Sequence, residues 1–275
     1  AMSHSSHTPA PVLISLTSFG AAEVGRHGQL WFARLSVEAG ADGVEVRGEL
    51  LRDAARELPE LAAWSQGTDR IRVYSSPDPL WLPNGELHTA ALAEGLARAQ
   101  TLRAPRLKMA IGDFAAQGTQ EAARDFAALA GRLDGSGVEL LIENDQTVRA
   151  GTLDALQRFF ALADQSHLHL PMTFDMGNWH YQGECPLLAA RAFGARVAYV
   201  HAKGVQRLPA KWVAVPLLES AAPWRSVLRS LPTGVPRAIE YPLAGDDLLA
   251  VTRQEIQCLR CLLYTSPSPR DLSTS

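Results

Sequence analysis

The sequence predicts an α/β protein, a single (β/α)8 TIM barrel, on three observations. Short apolar runs rich in β-branched residues alternate with longer amphipathic stretches, eight such pairs follow one another from Val12 onward, and 275 residues is an ordinary length for one such barrel. Alternation of this kind argues for a parallel sheet with helical crossovers. A doubly wound open sheet is the alternative. It is disfavoured because no GxGxxG follows the first strand, where Ser18-Phe19-Gly20 leads into the helix, and no GxxxxGK[ST] occurs anywhere.

In chain order the strands are expected at residues 12–19, 43–47, 70–75, 106–112, 138–144, 172–176, 197–203 and 236–241. Strands buried on both faces read as nearly continuous apolar runs, as Val138-Glu-Leu-Leu-Ile142 and Val197-Ala-Tyr-Val200 do. Between them lie helical patterns such as residues 86–102 and 119–133, Ala- and Leu-rich with charges on the opposite face. Gly40, Gly131 and Gly135 mark expected helix ends. No internal repeat beyond the βα period and no composition shift divides the chain.

Residues 1–11 lack a charged segment followed by an apolar one and are expected to form a disordered leader. The barrel is expected over 12–260. Residues 261–271, CLLYTSPSPRD, resemble a translated transposase-type sequencing adapter, so 261–275 is expected to be a non-native or disordered tail.

A net charge of −3 leaves no basic excess for a phosphate backbone, and no apolar run reaches the roughly 18 residues of a membrane span. Nucleic acid and membrane are therefore not expected partners. Three cysteines suit a reducing compartment and a cytoplasmic protein. The Cys258-Leu-Arg-Cys261 pair has no second pair with which to build a metal site.

The last four strands each end in a metal-ligand residue type: Glu143, Asp175, His201 and Glu240. Parallel barrel strands bring such ends together on one face. Three carboxylates and an imidazole in a partly desolvated mouth repel and raise one another's pKa, a conflict that one divalent cation removes. An oxygen and nitrogen set without thiolate suits Mn2+ or Mg2+, and Co2+ or Zn2+ fits the same set.

The segments GADGVEVRGELL from Gly40, LLIENDQT from Leu140, FDMGNWHYQGE from Phe174, VHAKG from Val200 and IEYP from Ile239 resemble the sugar phosphate isomerase/epimerase family of xylose isomerase-like barrels. That resemblance spans residues 12 to about 255 and implies that the four residues hold the metal, with Glu143 and Glu240 as the acid/base pair. It also implies a small sugar, sugar phosphate or keto-sugar acid as substrate, isomerised or epimerised by proton transfer through a metal-stabilised enediolate. A lyase that expels a β-hydroxyl, such as an inosose dehydratase, and a non-catalytic sugar-binding barrel are the alternatives. Many relatives have Asp after the strand-seven Lys, where this chain has Gly204.

Further substrate-binding candidates are Glu45, Arg47, Trp179, His180 and Lys203. Glu45 and Arg47 share one side of a strand, where Arg47 could meet a carboxylate or phosphate or the two could pair and orient their neighbours. His180 lies near where relatives often place a substrate-binding His, and Trp179 either covers a sugar ring or packs a helix. Lys203, on the same strand face as His201, either contacts substrate oxygens or forms an ion pair. His167 and His169 precede strand six and belong to the opposite end of the barrel.

Overall fold

A computed structural model describes residues 9–114 and 118–261. The strands are β1 (Val12–Ser15), β2 (Gly43–Arg47), β3 (Ile71–Ser75), β4 (Arg106–Ala110), β5 (Glu139–Glu143), β6 (Met172–Asp175), β7 (Val197–Ala202), β8 (Gly204–Arg207), β9 (Trp212–Val215) and β10 (Arg237–Ile239). Eight of these close into a barrel in the order β1-β10-β7-β6-β5-β4-β3-β2, every pairing parallel. Seven of the eight expected strands reappear shortened, and β2 keeps its expected bounds. Residues 16–19, read as strand, instead form a 3-10 turn after β1.

The described helices are α1 (Ala21–His27), α2 (Gln29–Glu38), α3 (Ala54–Ser65), α4 (Thr89–Leu102), α5 (Thr119–Leu133), α6 (Leu153–Gln165), α7 (Pro186–Phe193), α8 (Trp224–Ser230) and α9 (Leu248–Cys261). Local chemistry sets several starts. Asp53 caps α3 by accepting from the Arg56 N–H, Thr152 caps α6 by accepting from the Ala155 N–H, and Pro186 opens α7, where no N–H is needed. Gly131 does not end its helix as expected: α5 runs through it to Leu133. One exposed Gly costs a helix only about 1 kcal/mol, and the Ala- and Leu-rich residues before it carry the turn onward.

Apolar side chains pack in two places. Outward-facing strand residues such as Val12, Val44, Leu107, Ile142 and Phe174 join the helices in the main core. Inside the barrel, Leu13, Val73, Leu141, Tyr199 and Ala238 form a separate cluster that plugs the lumen. Gly43 faces this lumen, and a Cβ there would collide with the Ile71 backbone, so the close approach of β2 to β3 requires glycine.

The β8–β9 antiparallel hairpin after β7 was not expected from the sequence. The leader's residues 1–8 and the tail's 262–275 lie outside the described residues.

Candidate metal centre and mouth

Glu143 ends β5, Asp175 ends β6, His201 lies near the end of β7 and Glu240 directly follows β10. Each offers one ligand atom, and these four atoms lie within 4.8 Å of one another. A shift in register between Met172 and Thr173 sets β6 against β7 so that Asp175 stands opposite His201.

His201 is fully buried, and its two nitrogens face different surroundings. Nδ1 points into the cluster, 2.6 Å from Glu143 Oε2, 2.6 Å from Glu240 Oε2 and 3.5 Å from Asp175 Oδ2. Nε2 lies 2.8 Å from Glu45 Oε1. Burial lowers the imidazole pKa, but Glu240, Glu45 and Glu143 outweigh it and hold the ring charged well above its usual range.

The carboxylates are each held at one oxygen. Asp175 Oδ1 accepts from the N–H groups of Gly177 and Asn178, both at 2.9 Å. Glu143 Oε1 accepts from Lys108 Nζ at 2.9 Å, and Glu240 Oε1 lies 2.8 Å from Lys203 Nζ. The other oxygen of each faces the cluster, where Glu240 Oε2 also accepts from Arg47 at 3.3 Å. Burial would raise the pKa of both glutamates. For Glu143 the Lys108 and His201 charges reverse that shift, and for Glu240 the His201, Lys203 and Arg47 charges carry it well below the carboxylate range.

Among the described residues, Glu143 Oε2, Asp175 Oδ2 and His201 Nδ1 are buried without a hydrogen-bond partner, although the Lys203 ammonium stands 3.0 Å from Asp175 Oδ2. Orphaned acceptor atoms converging on one point fit a cation there. The cluster is thus able to hold one metal ion, with Nε2–H donating to Glu45 and the Nδ1 lone pair facing the ion.

The other expected contacts divide. Glu45 has no exposure, and its oxygens are taken by Tyr199, His201 and Arg47, so it stands behind the histidine rather than in reach of a substrate. Those charges lower its pKa to about 2 despite the opposing effect of burial. Arg47 is ion-paired with Glu45, Glu49 and Glu240 and lines the mouth. Trp179 does not cover a substrate: it is fully buried and stacks on Phe193 at 5.9 Å, because the 3-10 turn Asn178–Gln182 directs it into the core. His180 is half-buried, its ring 5.0 Å from Trp212 of the hairpin, and burial lowers its pKa. Lys203 bridges Asp175 and Glu240, and Gly177 leaves room for its stem, since a Cβ there would lie 2.8 Å from Lys203 Cδ.

Sequence reasoning overlooked Lys108, Asn144, Asn178 and Tyr199. Lys108 carried a legible signal, a charge in mid-strand between the apolar Leu107 and Met109 and on the inward parity. Asn144 joins the Asp175 backbone on both sides, accepting at 2.8 Å and donating at 3.1 Å, a pairing between distant segments that no local pattern announces.

A cavity of about 510 Å3 opens beside Arg47, Lys108 and Glu143 on the β2-to-β5 side of the mouth. The chain matches the xylose isomerase-like TIM barrel family over residues 33–261. It belongs to that family. No curated protein sequence matches it.

Several solved structures share this xylose isomerase-like fold. The probable 3-DHS dehydratase AsbF of Bacillus anthracis is 14% identical, with a TM-score of 0.69 and coverage of 90% of this chain and 98% of that one. The IolI protein, solved with a zinc atom, is 13% identical at a TM-score of 0.69 over 94% and 100% of the two chains. D-psicose 3-epimerase from Clostridium cellulolyticum H10, solved with D-tagatose, is 13% identical at a TM-score of 0.67 over 93% and 100%. No described helix is long and apolar enough to cross a membrane.

Proposed function

We propose that this xylose isomerase-like barrel is a metal-dependent isomerase or epimerase of a small sugar or keto-sugar, acting in the cytoplasm. Glu143, Asp175, His201 and Glu240 would hold the ion. The observation that carries the reading is the matched setting of Glu143 and Glu240: each turns one oxygen to the common centre and rests the other on a buried lysine.

A divalent ion at this centre supplies polarisation of a substrate carbonyl and its neighbouring hydroxyl, which acidifies the carbon-bound hydrogen between them. One glutamate takes that proton and can return it to the neighbouring carbon, while return to the opposite face falls to the other glutamate once it has taken up a proton from solvent. Their lowered pKa values keep both ionised at neutral pH, so at least one is ready as a base. Glu45 holds the His201 ring in place, and Lys108 and Lys203 limit each glutamate to one oxygen at the centre. The donor set favours Mn2+, with Mg2+, Co2+ or Zn2+ as substitutes, and the zinc of IolI supports the last.

Dehydration is the second reading, supported by the fold shared with the probable dehydratase AsbF. It starts with the same proton removal and ends with loss of a β-hydroxyl as water.

The deciding experiment follows deuterium uptake from D2O into a panel of ketoses, with and without Mn2+. Exchange is expected only with metal. Glu143→Gln and Glu240→Gln should each slow it by about 10²–10⁴-fold while Mn2+ stays bound. If both variants retain metal and exchange at the parent rate, the proton-transfer reading is wrong. A product lighter by one water assigns the dehydratase.

A further inference from the structure

The end of β2 carries Arg47 into the mouth, and one edge of that strand end has no strand beside it. β3 pairs with β2 as far as Arg47, which stands opposite Ser75, whereas β1 pairs only as far as Ser15, opposite Glu45. Beyond Ser15 the chain leaves the sheet in the 3-10 turn Leu16–Phe19. A strand residue points its N–H and C=O to the same edge, and leaving such a pair buried without partners is costly.

Gln29, the first residue of α2, closes that gap. Its Oε1 accepts from the Arg47 N–H at 2.8 Å and its Nε2 donates to the Arg47 C=O at 2.9 Å, so one primary amide replaces the stretch of β1 that turned away. The Gln29 side chain is buried, and Gly28 before it, at φ +84°, makes the tight junction of α1 with α2 that a residue with a side chain would rarely adopt.

What the amide fixes is a guanidinium with three carboxylate partners. Arg47 Nη1 meets Glu45 Oε2 and lies 3.3 Å from Glu240 Oε2, and Nε donates to Glu49 Oε1 at 2.8 Å. Glu45 in turn bears on His201, so Arg47 touches the support of one candidate ligand and a second ligand directly. A fork that serves two carboxylates at once depends on where its strand end sits, and a misplacement of about 1 Å can cost about 10²-fold in rate.

We infer that Gln29 is a positioning residue: its amide stands in for the absent β1 neighbour and holds the end of β2 where the Arg47 guanidinium spans Glu45 and Glu240. Its bonds are to the Arg47 backbone, and its effect on the centre passes through the Arg47 side chain. The consequence for the reaction rests on the proposed proton transfer at Glu240, whereas the placement of Arg47 does not.

The test follows by NMR the Nε–H signal of Arg47 in the full, metal-free chain with isotope-labelled arginines, assigned by its loss in Arg47→Lys. With Nε bonded to Glu49 and the side chain 15% exposed, its exchange with water should be slow. Gln29→Met, which keeps the bulk and removes the amide, should speed that exchange about tenfold or more. Gln29→Glu keeps an acceptor for the Arg47 N–H, should speed it less, and serves if the first variant does not fold. A second readout is metal-dependent deuterium uptake into ketoses. Gln29→Met should slow it about 10–100-fold beside the native Arg47 and no further in an Arg47→Met background, while lowering the urea midpoint equally in both.

Arg47 Nε–H exchange at the parent rate in both Gln29 variants overturns the inference. So does uptake that falls by the same factor with and without the Arg47 guanidinium, since Gln29 would then be merely structural. A parent protein that takes up no deuterium into any ketose removes the isomerase reading, and the Arg47 signal still decides the placement.

Discussion

The floor and the mouth of the barrel lumen are built by the same strands one step apart. Leu141, Tyr199 and Ala238 face inward at the floor, and Glu143, His201 and Glu240 face inward two residues later, about 6.6 Å farther along. The floor is apolar and closed except for the Tyr199 hydroxyl, which bonds Glu45. At the mouth Glu143, Asp175 and Glu240 are each paired with a buried lysine, and three ligand atoms are left without hydrogen bonds among the described residues. One parity thus carries stability at one end and a candidate reactive centre at the other, and Glu45 with Tyr199 forms the seam between them.

The sharpest break in this comparison is at His201. His201→Ala should weaken Mn2+ binding by more than the roughly 10–100-fold that an outer partner is worth, measured by titration calorimetry. Retained affinity would mean that the ion, if bound, sits elsewhere.

Leu141→Ala tests the floor. It should cost about 2–5 kcal/mol of stability in urea denaturation and leave Mn2+ affinity unchanged. A parallel loss of metal would show that floor and mouth are one unit.

Glu45→Gln probes the seam. Because Glu45 touches His201 Nε2 and no substrate-facing surface, metal affinity should fall about 10–100-fold with the fold intact. No loss would make the pairing merely structural.

The smallest effect concerns pH. Without metal, the neighbouring carboxylates hold His201 protonated above its usual range against the effect of burial, so a bound ion must displace that proton. Mn2+ affinity should therefore rise with pH, by at most about tenfold per unit below the raised pKa, and level off above it. A flat profile between pH 6 and 7.5 without proton release would place a neutral imidazole in the metal-free site.

The sequence alone was enough for the barrel and for the convergence of Glu143, Asp175, His201 and Glu240. Strand periodicity and parallel direction are local properties, and together they dictate which residues share an end. The family, too, was legible in short segments. Tertiary structure decided what each remaining side chain faces. Glu45 and Arg47 share a parity, yet only packing placed Glu45 behind the histidine and Arg47 at the cavity. Trp179 was ambiguous because an aromatic residue in a loop suits a ligand face and a core equally, and the turn of the backbone chose the core. The pairing of Lys108 with Glu143 emerged only with closure, since charge pairing across strands depends on distances that no sequence spacing records.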